Sequence, residues 1–204
     1  MSLQDTIETI EEADLAVAEA AAEVRHHPVT RALGHLSEVA DQPPMFALGA
    51  LTLAAGLLAD ERRLAEAGGR LLASVALATA VKSVVKAVVV RTRPHVLADG
   101  GEYESGLLGR NEGPWNSFPS GHTADAVAAA RAVARVWPGA AVPLYGAAAA
   151  IGVAQVPRCA HYPSDVTAGA LVGWAAEATV DRAWPAAEPL LDAARAALHG
   201  RQLG

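Results

Sequence analysis

VWPGAAVPLYGAAAAIGVAQVP, residues 136–157, is a run of 22 residues without a charged side chain. An α-helix needs ~20 residues, at ~1.5 Å each, to cross a hydrocarbon core. Pro138-Gly139 breaks any helix arriving from the N-terminal side, so a span is expected over about 140–156. Working outward, residues 42–59 form a second uncharged run of 18, giving a span over about 44–59. Two further apolar segments, 70–90 and 164–184, carry a few charges each, and a helix from Ser120-Gly121 to about Trp137 completes the set. The fold class these segments predict is all-α, a polytopic membrane helical bundle of about five spans.

Composition agrees. Hydrophobic residues make up 52% of the 204, aromatics only 4%, and the formal net charge is −6. Mean hydropathy is +0.22, high for a soluble chain and low for a membrane chain with long loops, so the local runs decide. The acidic balance and the lack of any basic tract with interleaved aromatics point away from nucleic acid. A single cysteine, Cys159, excludes an internal disulfide and a cysteine-based metal site. The acidic N-terminus does not read as a signal peptide.

Residues 2–24 have helix formers and apolar positions at Ile7, Ile10, Leu15, Val17 and Val24, together with seven acids and no base. That is too polar to span lipid and predicts an amphipathic helix, which could lie on the membrane surface or pack on the bundle by its apolar edge. With the five spans it makes a six-helix core. A connector with three histidines, His26, His27 and His35, follows, and their spacing fits no metal-ligand set. The division expected is a helix and connector over 1–43, a membrane-embedded domain over 44–184 and a polar tail over 185–204, with Pro185 and Pro189 near its start.

Lysines and arginines orient the set. Arg62, Arg63 and Arg70 mark the turn between the first two spans as cytoplasmic, and alternation puts Arg131, Arg135, Arg182, Arg195 and Arg201 near the same side. The opposite, extracytoplasmic side then holds Arg91, Arg93, Arg110 and Arg158, which break the rule unless they bind a ligand. Glu177 lies at the depth of Arg131 and Arg135 and is expected to be their counter-ion.

Three segments meet on that opposite face. Lys86 and Arg93 are seven residues apart, nearly two turns, and share one face if the helix continues to Pro94. Pro119-Ser120-Gly121-His122 enters a helix whose first-turn N–H groups and dipole favour an anion, notably phosphate. Ser120 is an N-cap or a phosphate donor there, and His122 sits in the first turn. His161 and Asp165, four residues apart, place a carboxylate where it can hold one ring nitrogen and leave the other as nucleophile. Asp125, three residues after His122, either hydrogen-bonds that histidine or stabilises the helix dipole. Cations, helix-start amides, two histidines and an aspartate are the equipment for phosphoryl transfer through a phosphohistidine without a metal.

The chain resembles the type 2 phosphatidic acid phosphatases, which share a fold with vanadium haloperoxidases and bacterial acid phosphatases. Three motifs carry the resemblance: Lys, six residues, Arg-Pro at Lys86–Pro94; Pro-Ser-Gly-His at Pro119–His122; and the second half of a Ser-Arg, five residues, His, three residues, Asp motif at His161–Asp165. The resemblance covers roughly 70–180. It implies that His161 attacks phosphorus with Asp165 behind it, that His122 protonates the leaving oxygen, and that Lys86, Arg93, Ser120 and Gly121 bind phosphate. Where the third motif has Ser-Arg, this chain has Ala154-Gln155, and Arg158 lies three residues on. Either Arg158 takes over the phosphate contact with Gln155 as a neutral donor beside it, or Arg158 only packs at the rim.

The activity expected is therefore an integral membrane lipid phosphatase acting on a phosphomonoester or diphosphate, of the phosphatidate, phosphatidylglycerol phosphate or polyprenyl diphosphate class, with no cofactor. The alternatives are a non-enzymatic lipid-binding or assembly protein and, within the same superfamily, a vanadate-dependent haloperoxidase.

Overall fold

The computed structural model describes residues 2–110 and 112–200. Ten elements follow in order: α1 (Leu3–Val24), α2 (Pro28–Ser37), α3 (Gln42–Leu58), α4 (Arg62–Val88), β1 (Val89–Arg91), α5 (Pro94–Ala98), β2 (Ser105–Leu107), α6 (Gly121–Val136), α7 (Ala141–Ala154) and α8 (Pro163–Leu198). The architecture is all-helical apart from the one short hairpin. Helices α3, α4, α6, α7 and α8 fall on the five expected segments, and α4, α6 and α8 pack together at the centre.

Small residues make that packing close. The core pairs Leu71, Val75 and Ala78 of α4 with Ala128, Ala129 and Ala132 of α6 and Ala176 of α8. At Gly169 and Gly173 a Cβ would sit 2.4 Å from the Ser120 carbonyl oxygen and 2.3 Å from that of Ala124. Only glycine lets α8 approach the start of α6 this closely. Larger aliphatics face outward instead: Leu51 on α3, Val84 on α4, Val142 and Val153 on α7 and Leu171 on α8 are all more than 60% exposed. By length and apolarity α4 can cross a membrane, while α3 and the apolar stretch Pro138–Ala154 are shorter.

Charge is handled in pairs at the end of the bundle away from the hairpin. Glu177 receives Arg131 at 2.6 Å and Arg135 at 2.7 Å, as the depth argument expects. Arg70 reaches Asp181, and Arg195 reaches Asp60.

Several local expectations change. The helix carrying Lys86 stops at Val88 instead of continuing to Pro94, because Val89–Arg91, opening on two β-branched residues, turns extended and pairs antiparallel with 105–107. The segment expected as a polar tail is helical to Leu198, with Pro185 and Pro189 inside α8. The connector holds a full helix, α2, started by Pro28 at its first turn, and His26, His27 and His35 are exposed on it and beside it. Helix α1 opens with a reciprocal Ser2–Asp5 capping box and lies against α5 and α8. The side it buries is Asp14, Ala18 and Ala21, while Ile7, Ile10, Val17 and Val24, its expected packing edge, are 40–50% exposed.

Candidate active site

The starts of α6 and α8 are stitched together by one backbone hydrogen bond, from Ser120 N–H to the Asp165 carbonyl at 3.0 Å. Ser120 is fully buried and caps α6: its Oγ accepts from Thr123 Oγ1 at 2.9 Å and from the Thr123 N–H at 3.5 Å. The N–H groups of Gly121 and His122 open the helix with no partner one turn back, as at any helix start.

His161 sits on the loop between α7 and α8, whose shape is set by backbone bonds. The Gln155 carbonyl accepts from both Ala160 N–H (3.1 Å) and His161 N–H (3.2 Å), and the Cys159 carbonyl accepts from His95 N–H (2.9 Å). Cys159 takes a left-handed backbone, φ 54°, to make the turn. The His161 ring is 3% exposed, with Nδ1 3.6 Å from Asp165 Oδ2. Burial drives its pKa from 6.5 down to about 4 against the pull of the Asp165 carboxylate, and the nearby charges of Arg93 and Lys86 add to the downward push. Burial thus favours the neutral imidazole.

Asp165 is completely buried and saturated with donors. Its carboxylate receives Ser117 Oγ–H at 2.6 Å, Tyr162 N–H at 2.9 Å and the Arg91 guanidinium at 2.7 Å. Sequence reasoning missed Ser117 altogether and noted Arg91 only as a base on the wrong side for the charge rule.

Lys86 and Arg93 converge by a different route from the one expected. They do not share a helix face; the β1 strand carries the chain on, and both side chains meet at Asn116. Lys86 donates to the Asn116 carbonyl and Arg93 to its Oδ1 at 3.2 Å. Both cations are half-buried, and among the described residues neither has a carboxylate partner; the buried Nε of Arg93 has no acceptor at all.

The His122 ring faces a different neighbour from the Asp125 expected as one possibility. Its Nε2 lies 3.6 Å from Glu38, and Glu38 also binds Arg158 at 2.7 Å. Asp125 instead pairs with Lys82 beneath the α6 start, because a buried carboxylate is held better by a lysine ammonium than by an imidazole. Arg158 is tied to the end of α2, donating to Ser37 Oγ (2.9 Å) and the Gly34 carbonyl (3.3 Å). Gln155 is buried, with its amide nitrogen spent on the Ile151 carbonyl. All nine expected residues thus lie around the starts of α6 and α8, with Arg158 at the edge.

A family model described as PAP2 superfamily matches residues 67–187, more than half of the chain. The chain belongs to the PAP2 superfamily. The match begins inside α4, so α1 to α3, with Asp14 and Glu38, precede it. A lipid A 1-phosphatase from Rhizobium etli is 32% identical over 108 residues, 52% of this chain and 46% of the relative. The alignment with this curated relative thus spans about half of its length. Among solved structures, LpxE of Aquifex aeolicus superposes with a TM-score of 0.61 at 22% identity, over 83% of this chain and 95% of the other. A transmembrane PAP2-type phosphatidylglycerolphosphate phosphatase from Bacillus subtilis gives 0.59 at 16% identity, over 85% and 87%. At these identities the two structures establish the PAP2 fold.

Proposed function

We propose that this PAP2 protein is an integral membrane lipid phosphatase that removes phosphate from a lipid phosphomonoester or diphosphate through a phosphohistidine. The observation that carries the reading is the pair of half-buried cations without carboxylate partners, Lys86 and Arg93, acting on a buried neutral histidine backed by a carboxylate. A site with that surplus of positive charge lacks an anion, and a phosphoryl group supplies it.

In the mechanism, the lone pair of His161 Nε2 forms a P–N bond as the P–O bond to the lipid breaks. His122 gives its proton to the departing oxygen, then takes one from the water that hydrolyses the phosphohistidine. Lys86, Arg93 and the first-turn amides at Gly121 and His122 hold the equatorial oxygens, with the Ser120 hydroxyl proton beside them. These donors serve the role a metal plays in other phosphatases, so the reaction proceeds without one. Arg158 is assigned to the rim of the pocket, its guanidinium able to turn from Glu38 to phosphate; Gln155 shapes the His161 loop through its carbonyl.

The lipid nature of the substrate rests on the outer surface. Exposed aliphatics on α3, α4, α7 and α8 form a belt that water would penalise and lipid would not. An apolar groove of about 510 Å³ runs between α6, α7 and α8 from Thr123, one turn past Ser120, and is lined by Val127, Tyr145, Val153, Val166 and Trp174. An acyl or prenyl chain fits there with its phosphate at the helix start. We place the site at the extracytoplasmic face and the exposed flank of α1 in the headgroup layer, with 44–184 as the membrane-embedded domain. The substrate classes are those named for the relatives, lipid A phosphate and phosphatidylglycerol phosphate, together with phosphatidate and polyprenyl diphosphate.

The test is a phosphate-release screen across these lipids with purified protein in detergent and EDTA. Release from at least one lipid, lost in His161→Ala, supports the reading; no release from any of them, or full activity in His161→Ala, overturns it. Arg158→Ala is expected to raise KM, and Gln155→Ala, which keeps the backbone carbonyl that shapes the His161 loop, to change kcat little.

A further inference from the structure

We propose that Asp14 of the N-terminal helix is a positioning residue for the nucleophile, holding Arg91 and supplying the negative charge that Arg91 would otherwise cancel behind His161. The inference rests on the phosphatase reading and concerns a helix outside the matched PAP2 segment.

Asp14 is 3% exposed although it lies on a helix whose other acids, Glu11 apart, are exposed. Its Oδ1 accepts the Ser164 N–H at 3.1 Å, and its Oδ2 accepts the Ser164 hydroxyl and the Arg91 guanidinium, the latter at 2.8 Å. It therefore supplies a carboxylate from another helix to the first turn of α8, where the dipole favours it. Arg91 is equally enclosed. Its second nitrogen donates to Asp165 Oδ1 and to Ser164 Oγ, both at 2.7 Å, its Nε donates to the Tyr103 hydroxyl at 3.2 Å, and its plane stacks 4.1 Å from the Tyr162 ring. The Tyr103 hydroxyl in turn donates to Glu11, again on α1. Every polar end of Arg91 and Asp14 is anchored, and α1 supplies two of the cluster's acids.

Charge counting gives the cluster its function. When His161 Nε2 bonds to phosphorus its ring becomes cationic, and a carboxylate at Nδ1 stabilises that cation. Arg91 lies against that same carboxylate, so Asp165 and Arg91 alone sum to zero, and the ring would gain little. Asp14 on the far side of Arg91 brings the Asp14–Arg91–Asp165 trio to a net single negative charge and keeps the guanidinium from being drawn wholly onto Asp165. The N-terminal helix thereby enters the chemistry without touching substrate.

The experiment compares Asp14→Asn, isosteric and uncharged, with wild type in the wild-type and Arg91→Gln backgrounds, on whichever lipid the screen identifies. In the wild-type background kcat is expected to fall about ten- to a hundredfold, as outer-sphere partners typically cost, with KM unchanged because the phosphate donors are untouched. In the Arg91→Gln background, where there is no cation to offset, the same change is expected to alter kcat less than about threefold, since coupled groups are not additive. Equal losses in both backgrounds, or a rise in KM at constant kcat, would show a merely structural anchor and overturn the inference. If Asp14→Asn does not accumulate as folded protein, Asp14→Glu decides: the charge is kept while the hydrogen bonds shift, so kcat within about threefold of wild type supports the inference and a larger loss refutes it. Wild-type protein silent on every lipid refutes the phosphatase reading and this inference together; active wild type with Asp14→Asn indistinguishable from it refutes the inference alone.

Discussion

Replacing Glu177 by leucine tests whether the interior charges of the bundle are paired as found. The carboxylate is 2% exposed and is shared by Arg131, at 2.6 Å, and Arg135, at 2.7 Å. The two arginines do not suffer equally from its loss. Arg135 is 41% exposed and keeps Asp181 at 3.2 Å, so its share is discounted to that of a surface ion. Arg131 is 19% exposed and keeps only the face of Trp174, 5.5 Å from the guanidinium carbon. The cost is then that of stranding one largely buried cation, at the lower end of the ~3–5 kcal/mol for breaking a buried pair by removing one partner, or about 3 kcal/mol. For a chain of this size ~2–4 °C accompanies each kcal/mol, so the expected fall in Tm is roughly 6–12 °C. Thermal unfolding followed by circular dichroism in detergent reads it directly. The double variant Arg131→Leu/Glu177→Leu removes the stranded charge and should recover most of the loss. A single variant melting within about 2 °C of wild type, or a double variant no better than the single, refutes the reasoning.

Three further outcomes follow from the site. Because His161 must be neutral to attack and burial holds it near 4, kcat/KM on the acid side should decline toward pH 4 and not toward 6.5, after correction for the substrate's own ionisation. The same shift bears on stability: the folded value lies below the unfolded one, so this contribution is present above 6.5 and is lost as pH falls from 6.5 to 4, which an acid titration of Tm checks. His122→Gln should lower kcat ~10²–10⁴-fold for a lipid alkoxide leaving group, and far less for a nitrophenyl phosphate, whose leaving oxygen needs no proton; equal losses on both would remove His122 from the acid role. Gly169→Ala forces a Cβ to within 2.4 Å of the Ser120 carbonyl oxygen, and the resulting shift of α8 from α6 should cost ~1–3 kcal/mol in thermal unfolding.

Helix-scale features were legible in the sequence because they follow from local rules. The uncharged runs, the Pro138-Gly139 break and the Ser120 cap each carry their own signal, and Glu177 was found from depth alone. What was hidden depends on contacts between distant segments. Nothing local says that Val89-Val90 leaves the helix, because the run suits either conformation until residues 105–107 arrive to pair with it. Asn116, where Lys86 and Arg93 meet, and Ser117, which binds Asp165, look like ordinary loop residues before the motif at Pro119. Asp125 was assigned to two roles and took a third, because its partner Lys82 lies 43 residues earlier on another helix. Asp14 did leave a trace. It sits three and four residues from Glu11 and Ala18, on the side of α1 that becomes buried, where an acid has no place without a partner.

The bond from Ser164 N–H to Asp14 joins residues 150 apart in the chain. Synthesis runs from the N-terminus, so α1 waits while the 150 residues that separate Asp14 from Ser164 are made before its buried acid meets that partner. Through most of that time the segments up to α6 already carry Lys86, Arg93 and His122, but His161 and Asp165 come with the loop before α8 and with α8 itself. In the proposed mechanism competence thus waits for α8, and a chain that stops before residue 161 can hold an anion and cannot cleave it.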